Sequence, residues 1–307
     1  QFIRVELGGG TFYFRPQNDV VLEAGSCYTY TVKVNSTGLT LEDCTIGDWT
    51  DGGGENLGMT ITYDGTETEP KIGDYYYSDG TWSDGGLRKL LADGTMEWAE
   101  PKPQPESGKT VIAIVFHAGH HANDGSDYSS TGIGQQKCHG YAVALQDATS
   151  SYCMWGDYGL ALGCFPTDGS GNNYSNPDID WSGYSYTQTI ITAAGGKEKL
   201  NATEESGYPA TWYAVVDYEN NKAQAPANSS GWFLPSIGQM WNVYQNRTSL
   251  FDGKTGVSVS QSDRYWSSSE LCRNPAGYAL FVSVNGGVVS NSGKYLSDSY
   301  VRPVLAF

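Results

Sequence analysis

Residues 265–307 read YWSSSELCRNPAGYALFVSVNGGVVSNSGKYLSDSYVRPVLAF. Two kinds of sequence alternate in this stretch. Tyr265–Glu270, the apolar run Ala279, Phe281, Val282 and Val284, and Tyr300–Val304 are rich in the β-branched and aromatic residues of strands. Between them lie Leu271–Pro275, Val288–Ser292 and Tyr295–Ser299, which have no period and almost no charge. Regular strands holding irregular, uncharged connections suit a scaffold that displays a surface. The candidate contact residues are Leu271, Cys272, Arg273, Asn274, Pro275, Tyr278, Asn285, Ser290, Asn291, Ser292, Tyr295, Leu296, Ser297, Asp298 and Ser299. Tyrosine offers a large, rigid contact area at low entropic cost, and serine and asparagine supply adaptable hydrogen bonds. Arg273 has the chemistry of a binding hot spot.

Working outward, the 307 residues allow one to three domains and a core that needs neither disulfide nor metal. The chain has 34 acidic and 18 basic residues, for a net charge of −16. That balance disfavours nucleic acid or an anionic membrane face as a partner and suits solubility outside the cell. No stretch of about 18 apolar residues occurs, so direct membrane insertion is not expected. The abundance of Gly, Ser, Thr, Tyr and Asp points to a β-rich extracellular protein with large loops.

The first 69 residues read as strands. Phe2–Leu7 and Thr11–Arg15 alternate around the turn Gly8–Gly10, and Cys27–Val34 sets Tyr28, Tyr30, Val32 and Val34 on one face. Asp64–Pro70 is polar and patternless, and marks a linker between a region 1–69 and a region 70–307. Beyond it, Val111–Phe116 reads as a buried strand and His139–Asp147 as the next. Glu100–Pro105 is a stiff proline-rich loop. Two helices are expected, one over Tyr186–Ala194 closed by Gly195–Gly196. The other follows Leu234–Pro235 with Ser236 as N-cap, and carries Ile237, Met240, Trp241 and Tyr244 at helical spacing. A weaker helix is expected over Pro209–Asp217. Trp232, Trp241 and Trp266 are assigned to the core. The fold class is α+β, with small antiparallel sheets and two helices after a β-rich start.

Few residues suggest chemistry. The chain has no G-x-S-x-G, and Cys138 and His139 would point to opposite faces of a strand, so no enzyme activity is expected. His117, His120 and His121 lie where a buried strand enters a Gly/Asp/Ser loop and lack the helical H-E-x-x-H spacing, so they read as a polar loop. The six cysteines contain no C-x-x-C; Cys27 with Cys44 is the expected pair of the first region, with buried thiols as the plainer alternative. No cofactor is expected. Calcium is considered only at Asn176–Trp181, through Asp178 and Asp180, where a Pro/Asp turn explains the residues equally well. The glycine runs 8–10 and 52–54 lack a following helix or lysine and read as turns.

Leu22–Val34, followed by Ile46–Trp49, resembles the end of a fimbrillin-like domain, the β-sandwich of Bacteroidetes pilins and fimbrial tip proteins. The stretch is about half the length expected of such a domain; either part of the domain is missing from this sequence or these strands pack on the second region. Ile72–Ser83, His139–Asp147, Gly231–Ser236, Tyr265–Glu270 and Tyr300–Val304 together resemble the C-type-lectin-like domains of Bacteroides-type surface proteins. A subset of those domains is diversified by retroelements. The resemblance implies an adhesin or ligand-binding protein at the cell surface, outer membrane or fimbrium, preceded by a signal or lipoprotein segment. Its partners would be a host or bacterial surface protein or a glycan, and other fimbrial subunits. Retroelement mutagenesis of an AAC codon cannot yield Lys, Glu, Gln, Met or Trp. Those types number 49 in the chain, so thirty residues would hold about five; the window 271–300 holds Lys294 alone. The Glu-Pro-Asn and Trp-Asn-Asp motifs of calcium-dependent sugar binding are lacking, which argues against calcium-dependent sugar recognition; a calcium lectin and a purely structural fimbrial component are the alternative readings.

Overall fold

The computed structural model describes 3–7, 10–14, 26–35 and 38–48 as backbone alone, and 61–307 apart from 66–67, 92–93, 167–172, 253 and 255–263. In the first region, β1 (Ile3–Leu7) pairs with β2 (Gly10–Phe14), and β3 (Ser26–Asn35) with β4 (Gly38–Asp48), both antiparallel. The expected strands are therefore present as two hairpins. The side-chain face of Tyr28, Tyr30, Val32 and Val34, the turn residues Gly8 and Gly9, and Gly52–Gly54 lie outside the described residues. Register sets Cys27 opposite Gly47 and Cys44 opposite Tyr30. The two cysteines are thus three positions apart along the hairpin, about 10 Å at strand rise. That separation exceeds the roughly 7 Å between Cα atoms that a disulfide can span, so the register argues against the Cys27–Cys44 bridge.

β5 (Ile61–Thr62) pairs with β8 (Leu87–Leu90), which pairs with β9 (Met96–Trp98). Strand 61–62, which precedes the expected linker, is thereby tied to strands that follow it. A five-stranded sheet runs in the order β15 (Val304–Ala306), β11 (Gly140–Ala144), β10 (Val111–Ala118), β6 (Tyr75–Tyr77), β7 (Trp82–Ser83). A second sheet joins β12 (Arg264–Glu270), β13 (Tyr278–Ser283) and β14 (Val288–Gly293) as a meander. Every pairing is antiparallel. The helices are α1 (Gly183–Ala194), the short α2 (Pro209–Trp212) and α3 (Tyr218–Asn221) with a π turn between them, and α4 (Ile237–Phe251).

Both sheets separate two apolar clusters, because alternate residues of one strand face opposite sides. In β13, Ala279 and Phe281 enter one cluster, while Leu280 and Val282 enter the other. β11 divides likewise, with Ala142 and Ala144 on one side and Tyr141 and Val143 on the other. The run after Tyr278 therefore has no polar face, since both sides are covered. The larger of these side chains, such as Phe281, Leu280 and Val282, contribute about 1.5–3 kcal/mol each on burial.

Two helix ends follow their signals, while α1 starts three residues before the expected Tyr186 and the helical run from Pro209 continues past the expected Asp217 to Asn221. Ser236 caps α4, its hydroxyl accepting from the Gln239 amide while Gln239 Oε1 accepts from the Ser236 amide at 2.9 Å. Gly195, at φ 90°, ends α1 in the left-handed conformation. Along α4 the buried stripe is Ile237, Met240, Val243 and Leu250. Trp232 and Trp266 are core residues, but Trp241 is only half-buried and stacks on Tyr244 at 5.3 Å. The expected inward stripe is thus rotated toward Val243.

Candidate ligand-binding surface

The surface is built on β12. Ser267, Ser268 and Ser269 are fully buried despite their hydroxyls. Ser267 Oγ donates to the Leu280 carbonyl at 2.8 Å, and Ser269 Oγ accepts the Ile237 amide at 2.9 Å, which ties the strand to β13 and to α4. The strand ends at Glu270, whose side chain is also fully buried. Burying a carboxylate is costly unless it is paired and hydrogen-bonded. Lys294, just past β14, donates to Glu270 Oε1 at 2.6 Å, and the amides of Leu162, Gly163 and Cys164 donate to the same carboxylate at 2.8–3.1 Å. Lys294 also donates to the Leu160 carbonyl at 2.7 Å and lies over the Trp155 ring at 4.6 Å. One buried ion pair therefore fixes three pieces of chain together: the end of β12, the end of β14 and the loop 155–164.

That arrangement sets the exposed residues. The segment Leu271–Tyr278 closes on itself through Leu271 N to Tyr278 O at 3.0 Å and Asn274 N to Leu271 O at 2.9 Å. Arg273 and Asn274 are exposed on it. Tyr278 stands opposite Gly293. A Cβ at Gly293 would meet the Tyr295 ring at 3.0 Å and Leu296 at 3.5 Å, so glycine lets these side chains cross the strand on the Tyr278 face. The loop joins from the other side: Gly159 N donates to Ala276 O at 2.8 Å, and Tyr158 meets Tyr295 edge-on at 4.9 Å. Tyr158, Leu160, Tyr278, Tyr295 and Leu296 are each between 38% and 53% exposed.

The structure thus brings Arg273, Asn274, Tyr278, Tyr295, Leu296 and Ser297 to one exposed end of the sheet. Leu271, Cys272, Pro275, Ser290, Asn291 and Asp298 are half-buried beside it. Asn285 is exposed at the opposite end, in the turn of the β13–β14 hairpin, about 17 Å of strand away. Two residues read as contacts are part of the frame instead. Ser299 is fully buried and bridged to Cys153, whose amide it accepts at 3.0 Å; Ser292 is nearly buried and bonds Asp298. A strand of serines gives no sequence signal of which hydroxyls face solvent. Tyr158 and Leu160 were missed because they lie more than a hundred residues upstream, in a loop without periodicity.

The remaining candidates resolve as follows. Asp178 is exposed and accepts the Trp181 indole at 3.4 Å. Asp180 turns inward, where its Oδ2 accepts Asn173 Nδ2 at 3.0 Å and the Ser269 and Tyr186 hydroxyls are its further, neutral partners. The two carboxylates have different surroundings, one exposed and one buried. Burial pushes the Asp180 carboxyl up to about 7, with only neutral donors to offset it. His121 stacks on the buried Trp181 at 3.8 Å, and burial holds His117 down to about 3, so His117 is neutral. His120 reaches Cys138 Sγ at 3.6 Å beside Asp124, which accepts both Tyr128 and Tyr141 hydroxyls at 2.7 Å. Among the described residues no three His, Cys, Asp or Glu side chains are grouped to hold a metal ion. Cys138, Cys153 and Cys164 are buried free thiols, and burial pushes Cys138 and Cys153 up to about 12 and Cys164 higher still. Among the described residues no helix is long and apolar enough to cross a membrane. A separate open groove of ≈ 790 Å³ is lined by Thr110, Val111, Gln146, Tyr218, Lys222 and Pro226 among others, and shares no residue with the tyrosine surface.

Residues 1–49 match the family described as Fimbrillin-like. No curated protein matches the chain. Among solved structures, the chain is similar to a fimbrial protein from Bacteroides ovatus ATCC 8483, with a TM-score of 0.52 and 17% identity. The similarity covers 78% of this chain and 49% of that one, so the chain spans about half the length of its structural relative. At that identity the likeness is one of fold. The β-rich opening is thus similar to fimbrillin in sequence, and 78% of the chain is similar to part of a Bacteroides fimbrial protein in architecture.

Proposed function

We propose that this chain is an adhesive component of a bacterial fimbrium, exposed at the cell surface, that binds its ligand through the tyrosine-bearing end of the β12–β13–β14 sheet and catalyses nothing. In this reading residues 1–69 are a fimbrillin-like region that engages other fimbrial subunits, and residues 70–307 are a C-type-lectin-like domain. The observation that carries it is the convergence of Arg273, Tyr278, Tyr295 and Leu296 at one exposed end of the β12–β13–β14 sheet, around the buried Glu270 and Lys294. The fimbrillin match over 1–49 supports the fimbrial setting. Retroelement diversification of 271–300 gains support from Lys294: the one residue there outside the accessible set is a buried frame residue.

A screen of the purified chain on arrays of glycans and surface proteins, with and without EDTA, tests this reading. Binding that survives EDTA and vanishes when Leu271–Ser299 is exchanged supports it. Binding lost with EDTA moves the site to the Asp178–Asp180 loop. Inert loops leave a purely structural subunit.

A further inference from the structure

Resting on that adhesive reading, we infer that the binding surface is bipartite, formed by Tyr158 and Leu160 together with Tyr278, Tyr295 and Leu296, and that its partner is a protein face with an apolar centre and a basic edge. The loop 155–164 is bound to the same end of the sheet by the buried Lys294–Glu270 pair and by Gly159 N to Ala276 O. Tyr158 and Tyr295 are in van der Waals contact and cannot be approached separately.

Area and charge select the partner. Three tyrosines and two leucines, each roughly half exposed, leave on the order of 400 Å² of mostly apolar surface. That is about half of one side of a standard protein interface, the share expected of its apolar centre. Around Tyr158 the edge is acidic: Asp157 adjoins it, and Glu205 accepts its amide at 3.4 Å. Lys294 contributes no outward charge, since Glu270 neutralises it in the interior. Arg273 is the exposed cation among 271–299. With a net charge of −16, two copies of the chain repel each other, and a basic partner is drawn in.

The probe is a phage-displayed library of random dodecamer peptides selected on the immobilised full chain. Enriched peptides are expected to combine Lys or Arg with large apolar residues. Both Tyr158→Ala and Tyr295→Ala should weaken them about tenfold or more, while Val288→Ala at the far hairpin turn leaves them unchanged. Raising salt from about 50 to about 500 mM should weaken them further. Unchanged melting temperatures show that the variants fold. Peptides sensitive to Tyr295→Ala but indifferent to Tyr158→Ala overturn the bipartite surface and leave the adhesive reading standing. No enrichment, acidic peptides, or glycan binding removed by the same variants overturn the protein partner. A dimer dissolved by Tyr158→Ala would assign the surface to a second copy. Peptides indifferent to both tyrosines overturn the inference and the reading beneath it.

Discussion

Two buried carboxylates lie on either side of Asn173, whose amide nitrogen donates to Asp180 Oδ2 and to the Glu270 carbonyl, each at 3.0 Å. Their surroundings are opposite. Glu270 receives a lysine and three backbone amides; Asp180 receives only neutral side-chain donors, from Asn173, Ser269 and Tyr186, and no cation. The first carboxylate is an anchor that holds a remote loop. The second is kept neutral by its own burial over much of the pH range. A buried acid organises structure when its charge is met from several segments of chain, and becomes a titrating weakness when it is not.

The largest effect should come from breaking the anchor. Lys294→Met leaves Glu270 buried and uncompensated, and should cost about 3–5 kcal/mol in urea unfolding. Adding Glu270→Gln should recover most of that loss, because it removes the unpaired charge while keeping an oxygen that accepts from the loop amides. A single substitution without measurable cost would show that the pair does not organise this end of the sheet.

Asp180 sharpens the contrast through pH. Its carboxyl is raised from 3.8 to about 7, so between those values the folded protein holds a proton that the unfolded chain has released. The contribution of Asp180 to stability should then be greatest near pH 4 and fall as pH rises toward 7, by on the order of 3 kcal/mol, while His117, held down to about 3, acts in the opposite sense over the same range. Asp74, raised to about 6 by burial, adds to the same trend. Asp180→Asn should remove its own part of this dependence, so that the difference in stability between wild type and variant changes by on the order of 3 kcal/mol from pH 4 to pH 7. An unchanged profile in the variant would mean that Asp180 is hydrated and ordinary.

Much of this contrast could not be read from the sequence. The strands and both helices were legible, because Ser236 with Gln239 is a capping box and Gly195 is a helix stop. The exposed tyrosines at 278 and 295 were legible from composition. What failed was pairing over distance: nothing near Glu270 announces that loop 162–164 will supply its amides, or that Lys294 points inward. Serine was equally silent, since Ser297 and Ser299 belong to one patternless run but only Ser299 is buried.

Smaller effects test that last distinction. Ser299→Leu overpacks a closed site and should cost about 1–3 kcal/mol, whereas Ser297→Leu should stay within about 0.5 kcal/mol. Equal costs would void the division between frame and surface. Smallest of all, Arg273→Ala with Tyr295→Ala should leave the melting temperature nearly unchanged while abolishing ligand binding; a pair that unfolds the domain would place these residues in the core.

The three buried thiols have a practical consequence. At neutral pH a sulfhydryl pushed up to about 12 or beyond offers at most about one thiolate in 10⁵, so Cys138, Cys153 and Cys164 should be nearly inert to iodoacetamide until the fold opens. Alkylation of each then works as an internal clock. Cys138 lies with one apolar cluster, and Cys153 and Cys164 with the other, so their relative labelling rates report whether the two halves of the interior come apart together or in turn.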